Sequence, residues 1–344
     1  MNIPRIRRSR LLAVAFVAAF LARTPAMAQD DGCLRRAIPV DVLTERGEMV
    51  TGLTPQDFKA CFHRTPVQFL SVTPNQSPQH FVIAIDASGS MTFDRSAWQY
   101  SLDVARDFAA GLPPSSEVGL AVFSTHVLKL IPLSTDRAKL NDELALLQAE
   151  KEPAPKNERE TALWGSLSSL FDSIPLQEDD LLFVFTDGEE NYSKTHLGRF
   201  TRTLCTRQIR FFAFSAEAQL TGGAPQTGIA ALTPNALQNL QDLADSTGGY
   251  VLHVSRDGVG SLPVRVDKSG RPTPQGQLVL SQFQQAYWFN RVQVELAEPI
   301  KKPHAWNLQT HGLTARNVAV VSPRSLTGCA APWHTRTRLP RHHI

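Results

Sequence analysis

The sequence contains no CxxC pair and no Cys/His cluster at zinc-like spacing, which excludes a zinc-finger type of site. It has no G-x-S-x-G, the setting of a strained serine nucleophile. The glycines of "TGGAPQTG" (Thr221–Gly228) are not followed by Lys-Ser/Thr, which argues against a phosphate loop. There is no internal repeat. No apolar run approaches the roughly 20 residues that span a bilayer. The chain also lacks a real excess of charge. Of its 35 basic residues, Arg5, Arg7, Arg8, Arg10 and Arg23 lie in the first 28 positions, where none of the 32 acids lies. The remainder carries 30 basic against 32 acidic residues, a balance of −2, which gives no support to nucleic-acid binding.

Those first 28 residues read as an export signal. "RIRRSR" is a basic segment, Leu11 to Ala22 a short apolar core, and "AMA" before Gln29 a small-x-small cleavage site. The expected location is the periplasm, the cell surface or the medium. Lipidation is not expected, because Cys33 follows "DDG" instead of small apolar residues. After cleavage, Cys33, Cys61, Cys205 and Cys329 would meet an oxidising compartment; three pairings are open, a local Cys33–Cys61 staple among them, and Cys205 reads equally as a free buried thiol.

What is present is ordinary globular material, 42% hydrophobic and 19% charged in 344 residues. Residues 29–78 read as a β-rich segment and linker, with strands in "AIPVDVLT", "MVTGLTPQDF" and "VQFLSVTP". From residue 79 to 256, apolar runs alternate with helical periodicity. "FVIAID" is a strand, and Trp98, Leu102, Ala105 and Phe108 share one helical face. A strand pair, a helix over Arg137–Ala149, a helix opening at Thr161, the strand "DLLFVFTDGEE", a helix over Lys194–Gln208, "IRFFAFSA", a helix from Asn235 and "YVLHVS" follow. Such alternation predicts an α/β fold, a doubly wound and mostly parallel sheet covered on both faces. Residues 257–330 read as a second β-rich segment and 331–344 as a basic tail.

In such a fold, ligands bind at the carboxyl ends of strands, near the reversal of strand order. Three stretches fall there: "DASGS" with Asp86, Ser88 and Ser90; Thr161 after the polar loop "EKEPAPKNERE"; and "TDGEE" with Thr186 and Asp187. The carboxylates of Asp86 and Asp187 with the hydroxyls of Ser88, Ser90 and Thr161 form a hard oxygen set suited to Mg²⁺. Taken singly, Ser88 or Ser90 would serve as a helix cap, Thr161 as another, and Asp187 as the start of a turn.

Taken together, D-x-S-x-S at 86–90, the threonine at 161 and T-D-G at 186–188 resemble the metal-ion-dependent adhesion site of von Willebrand factor type A domains. The flanks "VDVLTERGEMVTGLTPQDFKA" and "LSQFQQAYWFNRVQV" resemble those of secreted bacterial proteins of this kind, which place a β module on each side. The resemblance implies a Mg²⁺ (or Mn²⁺) held by Asp86, Ser88, Ser90, Thr161 and Asp187, with one position open to an Asp or Glu of a partner protein. Glu189 and Glu190 flank the site and read as shaping its rim, binding a second cation or forming a solvated acidic turn. The expected function is metal-dependent adhesion or assembly without catalysis. The competing readings are an accessory or scaffold subunit of an envelope enzyme complex, and a hydrolase, for which His126 and His196 read as surface residues. Trp98 and Phe108 are expected in the core, and Tyr287, Trp288 and Phe289 read as strand packing or else as an exposed aromatic contact.

Overall fold

The computed structural model describes residues 34–44, 48–75, 80–93, 95–150, 153–216, 234–255, 263–265, 285–300, 302–311 and 318–327. The expected signal segment, the Gly222–Gly228 insertion, Cys33, Cys329 and the basic tail lie outside them.

The described residues open with β1 (Arg35–Leu43), a 3₁₀ turn (Pro55–Asp57), β2 (Phe58–Phe62), β3 (Thr65–Pro66) and β4 (Gln68–Pro74). "MVTGLTPQDF" is therefore not a strand through most of its length. Pro55 presets the first turn position, and Asp57 accepts from the Thr54 N–H (2.7 Å) and hydroxyl (2.8 Å), which closes a capping box and turns the backbone.

The α/β series follows: β5 (His80–Asp86), α1 (Gly89–Phe93), α2 (Arg95–Gly111), β6 (Glu117–Phe123), β7 (Val127–Ser134), α3 (Arg137–Ala149), α4 (Leu163–Ser173), β8 (Leu181–Phe185), α5 (Leu197–Arg207), β9 (Arg210–Ala216), α6 (Pro234–Thr247) and β10 (Val251–Ser255). A short strand, β11 (Pro263–Arg265), lies beyond the expected boundary at 256 and pairs with β10. The sheet order is β11-β10-β9-β8-β5-β6-β7, parallel except for β7. This is the doubly wound sheet expected from the sequence. Its central strand shows why a continuous apolar run is needed: Phe81, Ile83 and Ile85 face α2 and α3, while Val82 and Ala84 face α4, α5 and α6. Trp98, Leu102, Ala105 and Phe108 are all buried on the first of these faces.

The chain returns through β12 (Asn290–Glu295), β13 (His304–Thr310), β14 (Ala319–Val321) and β15 (Ser325–Leu326). These strands interleave with the N-terminal ones instead of forming a module of their own. One sheet runs β14-β1-β12-β4 and the other β15-β13-β2-β3. Ile38, Val40 and Val42 share a core with Val292, Val294 and Trp306. The α/β domain is thus an insertion in a single β module, and the Asn75 N–H donates to the Phe289 carbonyl (2.7 Å) where the chain enters and leaves it.

The module sits against the amino ends of the parallel strands. Arg210, at the start of β9 and fully buried, donates to Asp41 of β1 (2.7 Å), to the Gly248 carbonyl (2.6 and 3.0 Å) and to the Ala286 carbonyl (3.3 Å). Its guanidinium carbon lies 5.0 and 4.8 Å from the ring centres of Phe212 and Phe289. Arg291–Asp179 and Arg324–Asp245 pairs add to the seam. The three aromatics at 287–289 divide their roles: Phe289 is buried, Tyr287 packs edge-on to Phe81, and Trp288 is 41% exposed. Cys61 is exposed and unpaired among the described residues.

Candidate metal centre

Strand order reverses between β5 and β8, and both strands end at the same rim. Asp86 is the last residue of β5 and has no exposed surface. Its Oδ1 accepts from the Ser88 N–H (2.9 Å), and its Oδ2 accepts from the Thr186 hydroxyl (2.6 Å). Ser88 Oγ lies 3.2 Å from Ser90 Oγ, and the Ser88 and Ser90 side chains favour the ionised forms of Asp86 and Asp187 respectively. Asp86, Ser88, Ser90 and Asp187 therefore form one connected polar cluster. Neither carboxylate has a Lys, Arg or His partner among the described residues.

Burial pushes the Asp86 carboxyl up to about 7, the charge of Asp187 adds to this, and the bonds from Thr186 and Ser88 oppose it. Burial also raises Asp187, against the bonds from Ser90 and the Glu189 N–H. Withdrawal from water without a counter-charge explains both directions, and the like charge adds to it at Asp86. Glu189 is raised by burial and then by the Asp187 charge, which places it at the rim.

Thr161 arrives from a different loop and is buried. It does not open the helix: α4 begins at Leu163, its N-cap is Ala162, and no side chain of that cap bonds the helix. The loop is instead pinned from three sides. Its Arg159 carbonyl accepts from the Gly89 N–H (2.7 Å), and the Ala162 N–H donates to the Ser124 carbonyl (2.8 Å). The Thr161 N–H donates to Asn191 Oδ1 (2.8 Å), and its carbonyl accepts from the N–H groups of Asn191 (3.1 Å) and Tyr192 (3.0 Å). Gly89 has an ordinary φ, so its role is the close approach of this loop: a Cβ there would lie 3.2 Å from the Arg159 Cβ.

Three positioning residues carry no signal as ligands in the sequence. Thr186 orients Asp86 while accepting from the Gly188 N–H (3.0 Å). Gly188 adopts φ +80°, and a Cβ there would stand 2.8 Å from Leu240 Cδ1, so α6 can pack under the loop only against glycine. Glu190 turns inward as a cap, accepting from the N–H groups of Trp164 (2.9 Å), Tyr192 (3.0 Å) and Ser193 (2.7 Å). It neutralises the amino end of α4 and fixes the Thr161 loop to the Asp187 loop. A capping pair this distant in sequence leaves no local pattern to read.

The donor set fits a hard divalent cation. It comprises oxygen alone, the two carboxylates lack counter-charges, and the flanking Ser124 and Ser215 hydroxyls are buried without hydrogen-bond partners. No group of three or more His, Cys, Asp or Glu side chains that could hold a metal lies among the described residues. His126 Nδ1 lies 3.1 Å from the Thr125 hydroxyl and 3.8 Å from Glu158, and His196 precedes α5.

Residues 81–190, which include all five candidate ligands, match the family model of the von Willebrand factor type A domain. Domains of this type commonly bind other proteins. Among solved structures, the chain is similar to the conserved hypothetical protein BatB from Bacteroides thetaiotaomicron, at 15% identity over 60% of this chain and 98% of that one, with a TM-score of 0.43. An aerotolerance-related membrane protein from Bacteroides fragilis gives 15% identity, 60% and 98% coverage and a TM-score of 0.41. A von Willebrand factor type A protein from Catenulispora acidiphila gives 11% identity, 87% and 75% coverage and a TM-score of 0.43. No curated protein matches the chain. No helix among the described residues is long and apolar enough to cross a membrane.

Proposed function

We propose that this chain is an exported, non-enzymatic binding protein that captures a partner protein through a Mg²⁺ (or Mn²⁺) site formed by Asp86, Ser88, Ser90, Thr161 and Asp187. The observation that carries the reading is the pair of buried carboxylates, joined through Ser88 and Ser90 and left without a cationic side chain. Such a pair is costly unless a cation completes it. The export pattern of residues 1–28 supplies the location.

When bound, the ion would supply Lewis acidity, little reduced by neutral hydroxyl donors, toward an Asp or Glu of the partner. The chain's own contribution is pre-organisation. Thr186 and the Ser88 N–H fix both oxygens of Asp86, the Ser90 hydroxyl fixes Asp187, and the Glu190 and Asn191 side chains hold the Thr161 loop in register with them. Glu189, at the rim, adds negative charge beside the site and so favours divalent over monovalent cations.

Titration calorimetry with MgCl₂ and MnCl₂ tests the reading. One site per chain is expected in the wild type and none in Asp86→Ala, with both proteins folded by circular dichroism. A folded wild type that takes up neither cation would overturn it.

A further inference from the structure

The stretch from Asn191 to Ala216 holds Lys194, Arg199, Arg202, Arg207 and Arg210 and not a single acid. Arg210 is consumed in the interior, but the others remain with α5 and the turn before it. The helix is amphipathic: Phe200 and Leu204 are buried, while Arg199 and Arg202 are exposed. Between α5 and α4 lies a groove of about 610 Å³, lined by Ser168, Asp172, Arg199, Arg202, Thr206 and Arg207, among others. Neither Arg199 nor Arg202 has a side-chain hydrogen bond or ion pair among the described residues. Arg207 is held with its guanidinium carbon 5.0 Å from the centre of the Phe171 ring, which stiffens one end of the row. At a rise of 1.5 Å per residue, Arg199 and Arg207 are separated by about 12 Å along the helix. One small anion cannot meet three guanidinium groups spread over that length; several carboxylates on one strand of chain can.

We infer that the α4/α5 groove is a second docking surface, independent of the metal centre, for an acidic peptide segment of a partner protein. Arginine is suited to this task because its planar fork pairs with carboxylates in two-pronged fashion. The surface favours a peptide over an anionic membrane on three grounds. It is concave, and none of the exposed large apolar side chains among the described residues (Leu130, Leu146, Tyr192 and Trp288) lines it, whereas membrane-surface helices insert such residues. Asp172, the one acid in the groove, would repel a uniformly anionic sheet of headgroups while leaving room for a segment whose acids are spaced.

The test is fluorescence anisotropy of the purified chain with a short fluorescein-labelled polyglutamate peptide. Control arms use inorganic phosphate and vesicles of phosphatidylglycerol or phosphatidylcholine. Binding is expected in EDTA, unchanged in Asp86→Ala, and weakened at least about tenfold by R199E/R202E, since two like-charge contacts replace two attractive ones. R199Q/R202Q should lose less, and raising salt from about 0.05 to about 0.5 M should weaken all complexes. Both arginines are exposed, so the variants should keep the wild-type thermal midpoint. Three results would overturn the inference: affinity unchanged by the double reversal, affinity abolished by EDTA or Asp86→Ala, or capture of phosphatidylglycerol vesicles in place of the peptide. The EDTA arm separates this proposal from the metal-dependent one, because each can fail alone.

Discussion

The Arg210–Asp41 pair offers a sharp test of how the β module is joined to the α/β domain. Arg210→Met keeps much of the side-chain volume but leaves Asp41, 2% exposed, and the carbonyls of Gly248 and Ala286 without their donor. Breaking a buried ion pair costs about 3–5 kcal/mol, and each unsatisfied carbonyl about 1–3 kcal/mol with overlap, so a loss of about 5 kcal/mol is expected. Adding Asp41→Leu removes the stranded charge and should recover about 2–3 kcal/mol. The assay is urea unfolding of wild type, both single variants and the double variant, read as a coupling energy. The pair also has a pH signature. Burial pushes the Asp41 carboxyl up to about 6 from its ordinary 3.8, against the attraction of Arg210. Between those values the folded chain holds more protons than the unfolded one. The contribution is therefore full below about pH 4 and is lost as pH rises through 6, with a ceiling of about 3 kcal/mol. Wild type should therefore lose up to about 3 kcal/mol of stability relative to Asp41→Asn as pH rises through that window. Additive single variants, or a difference that stays flat with pH, would refute the reasoning.

Other consequences can be checked alongside. Mg²⁺ at about a hundredfold over its dissociation constant adds about 2.7 kcal/mol. That should raise the wild-type melting temperature by roughly 5–10 °C and leave Asp86→Ala unmoved; equal shifts in both would place the ion elsewhere. Gly188→Ala combines a positive φ with a Cβ 2.8 Å from Leu240, and should cost about 2 kcal/mol in urea unfolding, partly recovered by Leu240→Ala. Glu190→Ala strips an acceptor from three backbone N–H groups, so a loss of about 1–2 kcal/mol is expected together with severalfold weaker Mg²⁺ binding by calorimetry. If the stability falls and the affinity does not, Glu190 has no part in placing Thr161.

The periodic elements were legible in advance because their signals are local. The Trp98–Phe108 stripe lies within the helix Arg95–Gly111, the Arg137–Ala149 helix has the expected bounds, and the apolar runs became strands of the central sheet. The grouping of Asp86, Ser88 and Ser90 with Asp187 was legible for a related reason: each sits where a strand ends, and strand ends converge in this topology. Less accessible were features that depend on distant partners. Glu190 reads as a rim acid, yet it caps a helix 26 residues upstream. The two β-rich flanks read as separate segments because alternation reveals a strand and not its neighbour. The misread at "MVTGLTPQDF" was avoidable, since Thr54-Pro55-Gln56-Asp57 already spells a capping box.

The interleaved module sets an order of assembly. Gln68–Pro74 pairs with Asn290–Glu295, more than two hundred residues later, so at a synthesis rate of ~5–20 residues per second the N-terminal strands wait roughly 10–40 s for their partners. During that interval the inserted domain can complete its own core, but Ile38, Val40 and Val42 have only the early half of theirs, Phe58, Phe62 and Val67 among it, and still lack Val292, Val294 and Trp306. Closure of the module is the late event, and the Asn75–Phe289 bond is its clasp. A pause, truncation or proteolytic cut after β10 would therefore leave a finished α/β domain trailing unpaired, strand-forming segments, a state open to aggregation.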